Sequence, residues 1–319
     1  MTRHRRNGGF GLVEVMVSVL IGSLLLIGVL SIFAETRSTY RTTDAVSRMQ
    51  ENTRFAMATI EPDIRLAGSW GLHNIAAQVS VPAAVVVTCD DATDVSAEVL
   101  DVLNPVAAAN DGYVDLVPCD PFEDNYLAGT DTLVVRHASG APVGAVAGTV
   151  QIQSDRYQSV VFDDGAEPGT VDCPVPAAPP ASPQIRCTYN WITNYYYVAS
   201  SSSLGATVPS LRRQVLQNGV VTDQELITGV EDLQVQLGID TDGDGTVERY
   251  LEADHPDFVA GTPVMAVRMW LMFRAERREV GFVDGATYNY ADVADYAPAD
   301  GFRRSLFNKT ILLRNLRPG

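Results

Sequence analysis

One loop of this 319-residue sequence places oxygen-bearing side chains at the spacing that a hard metal ion requires. Asp240, Asp242 and Asp244 occupy positions 1, 3 and 5, a glycine follows at position 6, and Glu248 stands at position 9. Calcium binds oxygen ligands that alternate along a tight turn, and three carboxylates this close repel one another unless a cation or solvent intervenes. The loop over residues 240–252 therefore predicts a calcium site. Its candidate ligands are Asp240, Asp242, Asp244, Thr246 and Glu248.

The segments around this loop predict a β-hairpin and not the two helices that flank the loop of an EF-hand. Strand-like runs precede and follow it, at residues 232–239 and 247–251. Position 12, where an EF-hand has a bidentate glutamate, is Leu251, so we expect Glu248, Glu252 or water to complete the coordination. The alternative is an Asp-Gly turn without metal, which the same composition favours.

The other reactive residues form no catalytic motif. The four histidines are scattered, and the single lysine, Lys309, leaves little scope for lysine-based covalent catalysis. The sequence contains neither a Gly-x-Ser-x-Gly elbow nor a phosphate-binding loop. Its net charge of −16 disfavours nucleic acid, because phosphates are neutralised by clustered Lys and Arg. We expect a protein that is not an enzyme and does not bind nucleic acid.

Four cysteines, Cys89, Cys119, Cys173 and Cys187, lie at wide and uneven spacings that do not suit zinc. An even number behind a membrane-targeting segment favours two disulfides formed in an oxidising compartment, with three connectivities open. We favour the sequential pairs, Cys89 with Cys119 and Cys173 with Cys187, of which the second closes a loop of about 15 residues. Free buried thiols are the alternative.

The N-terminal segment carries a basic cluster and then an apolar run. Three arginines within the first six residues precede twenty uncharged residues, 15–34, which as a helix span about 30 Å, the thickness of a bilayer's hydrocarbon core. The arginines are expected to stay cytoplasmic, which places the rest of the chain across the membrane. Glu14 stands at the start of the apolar run, where a carboxylate is costly and normally marks a function.

Three interpretations compete for this segment. A removable secretory signal should end in small residues, but Ile32, Phe33 and Ala34 make a poor cleavage site. A plain membrane anchor does not explain Glu14, unless that side chain snorkels to the membrane face. The third interpretation is a prepilin, which loses its leader and keeps its apolar helix.

The N-terminus resembles that of type IV prepilins. A short basic leader ends at Gly9, the aromatic Phe10 follows, and Glu14 is the fifth residue counted from Phe10. The resemblance implies cleavage after Gly9 by a prepilin peptidase and N-methylation of Phe10. Glu14 of one subunit would then pair with the Phe10 amine of its neighbour in a filament, because both charges are poorly solvated in the bilayer.

Beyond residue 34 the chain turns polar but keeps a helical period. Pro62 is expected to kink or break this helix, and Gly68 to end whatever helix follows. Short β-branched or aromatic runs then predict strands at residues 84–88, 132–136, 149–153, 159–162, 194–199 and 264–274, and a Pro-rich and Ala-rich stretch predicts an exposed loop at 163–186. We expect an α+β protein with a cytoplasmic leader (1–9), an N-terminal helix (10–68, with 10–34 transmembrane) and a β-rich head (69–319).

Three segments resemble the PilW family of minor pilins: residues 50–68, the acidic hairpin, and the closing run 302–315. The resemblance implies the type IV pilin fold, with the long N-terminal helix packed on the β-rich head. It also implies a subunit that helps to initiate pilus assembly at or near the tip, with other minor pilins, the major pilin, the inner-membrane assembly machinery and a tip adhesin as partners.

Such a subunit would lie in the bacterial inner membrane before assembly and in the pilus at the cell surface afterwards. Two alternatives stay open. One is a minor pseudopilin of a type II secretion system, which shares the N-terminus. The other is a surface-binding module that uses the prepilin route.

Overall fold

The structure, a computed structural model, describes residues 11–113, 116–170, 173, 185–258 and 262–316. Within these ranges the predicted α+β class is confirmed, since one long N-terminal helix precedes a β-rich head. The helices are α1 (Leu12–Leu66) and α2 (Ser96–Val99), with single 3₁₀ turns at Ala76–Gln78 and Phe122–Asp124. The first strands are β1 (Val79–Ser80), β2 (Thr88–Cys89), β3 (Val106–Ala109), β4 (Thr132–Ala138), β5 (Gln151–Ser154), β6 (Ser159–Phe162), β7 (Cys187–Ala199) and β8 (Ser210–Gln217). The remaining strands are β9 (Val220–Thr228), β10 (Val230–Ile239), β11 (Arg249–Leu251), β12 (Val264–Arg274), β13 (Tyr288–Tyr290), β14 (Val293–Tyr296) and β15 (Arg304–Leu312).

The chain divides into two units after Arg48. In the first unit the apolar side chains of α1 are exposed from Leu12 to Phe33. Among the described residues, α1 is the one helix long and apolar enough to cross a membrane by length and composition. The predicted transmembrane stretch 10–34 overlaps this exposed apolar surface, but residue 10 lies outside the described ranges.

The second unit begins at Met49 and includes the last turns of α1. Pro62 was expected to kink or break the helix, and the break is wrong, because α1 continues through this residue to Leu66. Pro62 removes one backbone donor, but the fully buried Ile60 and Ile64 on either side of it pack into the core of the head. Gly68 ends the helical segment with a φ of +72°, as expected of a residue without a Cβ.

The large sheet is organised around β7, its longest strand. β4 pairs along one edge of β7, through residues 191–196. The other edge is shared by β5, which pairs with residues 187–190, and β8, which pairs with residues 194–199. The order is β1-β6-β5-β7-β8-β9-β2, and β3 joins through β4. The predicted strand 194–199 was too short, because the pairing with β5 extends β7 back to Cys187.

A second sheet has the order β11-β10-β12-β15, and β13 and β14 form a separate hairpin. One hydrophobic core contains α1 residues from Met49 to Ile64, this second sheet and one face of the large sheet. Another core covers the opposite face of the large sheet. Tyr196 belongs to the first core and Tyr195 and Tyr197 to the second, as alternation along β7 requires.

Candidate functional site

Glu14 lies in the first turn of α1, in the unit that carries the exposed apolar surface. The backbone N–H groups of Glu14 and Val15 donate to the Gly11 carbonyl at 3.0 and 3.2 Å, which closes that turn. Among the described residues, the Glu14 carboxylate has no hydrogen-bond partner, and its position near a helix N-terminus suits negative charge. The expected processing residues Gly9 and Phe10 lie outside the described residues.

The acidic loop connects β10 to β11, which are antiparallel, as the predicted hairpin requires. Asp240 directly follows β10 and is 2% exposed. Its carboxylate accepts the N–H of Gly243 at 2.6 Å and that of Gly245 at 2.8 Å. Both glycines have positive φ, +79° and +82°, so they allow the loop to fold back over Asp240.

Thr246 joins two further carboxylates of this loop. Its hydroxyl lies 2.6 Å from Asp244 Oδ1 and 2.9 Å from Glu248 Oε1, and the other oxygen of Glu248 accepts the N–H of Thr241 at 2.7 Å. The hydrogen bonds from the Thr246 side chain and backbone lower the pKa of Asp244, so this group stays ionised. Thr246 was predicted as a ligand, and the structure shows its side chain positioning the acids.

One oxygen from each of Asp240, Asp242, Asp244 and Glu248 lies within 4.8 Å of the others, so this cluster could hold a metal ion. Calcium–oxygen distances of about 2.3–2.6 Å place two ligands on opposite sides of an ion about 5 Å apart, so the donor set fits calcium. Glu252, which was expected as a possible additional ligand, is not part of this cluster, and its Oε1 accepts a hydrogen bond from Gln236 Nε2 at 2.7 Å.

Both disulfides of the structure join the favoured pairs, Cys89 with Cys119 and Cys173 with Cys187. Cys187 is the first residue of β7, so the shorter loop is tied to the longest strand of the head. The Tyr113 hydroxyl donates to the Cys119 carbonyl at 2.8 Å, which anchors the longer loop. Much of the predicted loop 163–186 lies outside the described residues.

A buried polar cluster in the head escaped the sequence analysis. Asp63 of α1 accepts hydrogen bonds from Tyr196 and Asn194 of β7, and its other oxygen lies 3.6 Å from His137 Nε2. These residues are far apart in sequence, so spacing could not join them. The available signal was Asp63 itself, an acid directly between the apolar residues Pro62 and Ile64.

Two comparisons with protein-family models match this architecture. Residues 4–30 match the prokaryotic N-terminal methylation motif, and residues 195–315 match the type IV pilus-assembly protein W model, PilW. No curated protein and no solved structure matches the chain. A methylation motif that includes the start of a long apolar helix, followed by a β-rich head, is the arrangement of type IV prepilins.

Within that class the chain resembles PilW, and the PilW match lies in the head, from within β7 to just beyond the end of β15. Both matched families are structural and not enzymatic. The apolar helix and the motif agree with a membrane-anchored pilin that interacts with other pilus components.

Proposed function

We propose that this protein is a minor pilin that takes part in initiating type IV pilus assembly and lies at or near the pilus tip with other minor pilins. The observation that carries the proposal is the presence on one chain of the N-terminal methylation motif and a PilW-like head. The proposed partners are other minor pilins, the major pilin, the prepilin peptidase, the inner-membrane assembly machinery and a tip adhesin.

The assembly chemistry follows from the N-terminus. Cleavage after Gly9 creates a charged amine at Phe10, four residues before the Glu14 carboxylate. Each charge is poorly solvated in the membrane, so pairing between Glu14 of one subunit and the Phe10 amine of another stabilises the filament and sets its register. The exposed apolar side chains of α1 supply the surface that packs against neighbouring helices.

Mass spectrometry of sheared pili tests this proposal, in strains with wild-type protein, Glu14→Ala and Glu35→Ala. Glu35 is the matched control, because it is an exposed acid of the same helix just beyond the apolar run. We expect wild type and Glu35→Ala in the pili with a mature N-terminus at methylated Phe10. The loss of a buried ion pair should lower incorporation of Glu14→Ala by at least about tenfold.

One combination of results would contradict the pilus assignment. If the wild-type protein never appears in pili, and its deletion leaves pili intact but blocks protein secretion, the pilus assignment fails. The chain then acts as a pseudopilin of a type II secretion system.

We also infer that the loop between β10 and β11 binds calcium through Asp240, Asp242, Asp244 and Glu248. The support is the cluster of carboxylate oxygens and the backbone donors that hold Asp240 in place. A bound divalent cation would neutralise the mutual repulsion of these acids and cross-link the two ends of the loop.

Calorimetric titration of the detergent-solubilised full chain with calcium tests this site. We expect a calcium-dependent heat and a higher unfolding midpoint for wild type, and neither for the double variant Asp242→Asn/Asp244→Asn. Asp90→Asn, an exposed acid outside the loop, should behave as wild type. A wild-type protein that shows no heat and no stabilisation at millimolar calcium would contradict the calcium site.

A further inference from the structure

The last strand of the head, β15, has one free edge. It pairs with β12 without a register shift from Arg304, opposite Arg274, to Leu312, opposite Ala266. No other described strand pairs with β15, which is the end member of the sheet β11-β10-β12-β15. Along this nine-residue strand, the backbone groups that face away from β12 therefore have no strand partner among the described residues.

The hydrogen bonds at the ends of the strand show which residues face outward. Leu313 N–H donates to Met265 O, and Ala275 N–H donates to Arg303 O, so the odd-numbered residues direct their backbone groups toward β12. The even-numbered residues direct theirs to the free edge. These outward residues are Arg304, Leu306, Asn308, Thr310 and Leu312. The one charged residue among them, Arg304 at the start of the strand, has its side chain buried in ion pairs with Glu231 and Asp300.

Other sheet edges of the described residues are shorter or interrupted. β1 and β2 have two residues each, β11 has three and β3 has four. β9 has nine residues, but β2 covers its start, a register shift at Leu211/Arg212 interrupts its pairing with β8, and it carries Asp223 and Glu225. Short strands, bulges and charges are the usual protection against unwanted pairing, and β15 has neither a bulge nor a proline.

The charge around β15 also differs from that of the whole chain. Residues 302–316 include four basic residues and no acid, whereas the protein has 39 acidic residues against 23 basic ones. Arg303, Arg304 and Lys309 each form ion pairs within the head. Arg314, just after the strand, is exposed and has no ion pair among the described residues. This charge favours a partner that carries a carboxylate near the end of its pairing segment.

We propose that the outer edge of β15 is a docking site for an extended strand from the head of a different pilin subunit. Only an extended backbone can complement alternating N–H and C=O groups along an edge, so the occupant is a strand and not a helix or a small molecule. A second copy of this edge fits poorly, because two segments without acids would bring like charges together. The choice of a pilin as partner rests on the proposed function, whereas the inference that a strand pairs here rests on the unpaired backbone groups of β15.

Photo-crosslinking in piliated cells tests this docking. The full chain carries a photoreactive phenylalanine at Leu312, which is exposed, and a control carries the same group at Tyr157, an exposed site away from β15. We expect Leu312 to crosslink to a strand of another pilin, identified by mass spectrometry of the joined peptides. Tyr157 should not give this product.

The Leu312 crosslink is then compared in Asn308→Pro and Asn308→Ala backgrounds. Proline removes an outward N–H without touching the bonds to β12, and alanine retains that N–H. Proline should reduce the crosslink by about tenfold, whereas alanine should leave it near the wild-type yield. Arg314→Glu, whose native side chain has no ion pair to lose within the described ranges, should also reduce the yield through charge repulsion.

Intact disulfides in each variant show that the head has folded. A crosslink to a second copy, to a protein that is not a pilin, or to no protein overturns the proposal, as does an undiminished yield in both Asn308→Pro and Arg314→Glu. The result is separable from the proposed function. If the chain is absent from pili but Leu312 crosslinks to a strand of a secretion-system pseudopilin, the pilus assignment fails and the edge pairing stands.

Discussion

The carboxylate of Asp63, on the last turns of α1, accepts a hydrogen bond of 2.5 Å from the hydroxyl of Tyr196 in β7. Tyr196 is fully buried, so this contact joins the helix to the centre of the large sheet. Burial alone would raise the pKa of Asp63, but the nearby His137 imidazole and the hydrogen bond from Tyr196 outweigh it and hold the pKa below its usual value. Burial, and then the charge of Asp63, raise the pKa of Tyr196 far above its usual range.

Replacing Asp63 by alanine should therefore destabilise the head. The buried Tyr196 hydroxyl and Asn194 amide would lose their acceptor, which costs about 1–3 kcal/mol of unfolding free energy. Denaturant unfolding in detergent, followed by tryptophan fluorescence, measures the loss, because Trp70, Trp191 and Trp270 all lie in the head. Asp44→Ala, an exposed acid of α1 paired with Arg48, is the control and should cost under about 1 kcal/mol. Equal losses in the two variants would contradict the structural role of Asp63.

Asp232 should make the stability of the head depend on pH. Burial raises the pKa of Asp232 to about 6, although Tyr290 and Gln234 donate hydrogen bonds to it. A raised pKa in the folded state means that this contribution to stability is complete below the unfolded value near 3.8 and is lost as the pH rises through about 6.

Between pH 4 and 7, wild type should lose on the order of 3 kcal/mol more unfolding free energy than Asp232→Asn. Asn retains the shape of the side chain and does not titrate, so its profile should be flatter over this window. Unfolding curves at several pH values measure the difference, with Asp90→Asn as a control that keeps the wild-type slope. Parallel profiles for wild type and Asp232→Asn would rule out this titration.

The two disulfides should contribute similar amounts to the unfolding free energy of the head. Removing the Cys173–Cys187 bond by serine substitution of both residues should lower the unfolding free energy by about 3 kcal/mol, because the closed loop is short. Removing Cys89–Cys119, with a sequence separation of 30, should cost slightly more. Unfolding of each variant with and without reductant checks both values. A variant that loses no stability, or a wild type indifferent to reductant, would show that the bond is not formed in cells.

Gly229, between β9 and β10, should not tolerate a side chain. Its φ is +79°, and a Cβ would lie 2.7 Å from the Arg274 carbonyl oxygen. Gly229→Ala should cost about 1–3 kcal/mol, because the backbone conformation is strained for alanine and the contact is with backbone. Gly285→Ala is the matched control, since a Cβ there meets nothing within 4 Å, and its effect should stay within about 0.5 kcal/mol. The same unfolding assay compares the two variants. Equal unfolding free energies for Gly229→Ala and Gly285→Ala would contradict the predicted backbone strain at Gly229.

Local sequence patterns predicted those strands whose bounds depend only on the residues of the strand itself. Strands β6 and β12 have the predicted bounds, because both are continuous β-branched or aromatic runs. The hairpin of β8 and β9 was missed, although its turn, Asn218-Gly219, has positive φ at both positions and is a strong hairpin signal. Residues 84–88, predicted as a strand, show that a strand-like pattern alone does not provide a pairing partner. Val85 and Val87 are buried as a strand pattern suggests, but only Thr88–Cys89 finds a partner, β9.

The acidic loop was predictable because all of its candidate ligands lie within nine residues, and its turn depends on local glycines. The polar cluster of Asp63, His137 and Tyr196 could not be predicted in this way, because its members are distant in sequence and only the fold brings them together. Pro62 failed as a breaker because packing of Ile60 and Ile64 outweighs one lost hydrogen bond, a term that propensity does not contain.

The ion pair between Lys309 and Glu61, 2.5 Å from Nζ to Oε2, involves the only lysine of the chain. Amine-directed reagents therefore have a single side-chain target in the whole protein, on the strand proposed to meet a partner. Lysine-specific crosslinkers will not react with the rest of the head. Neighbouring subunits must therefore be mapped with reagents for its abundant carboxylates or with installed photoreactive groups. In return, the reactivity of this one amine reports on whether the Lys309–Glu61 contact between β15 and α1 is intact.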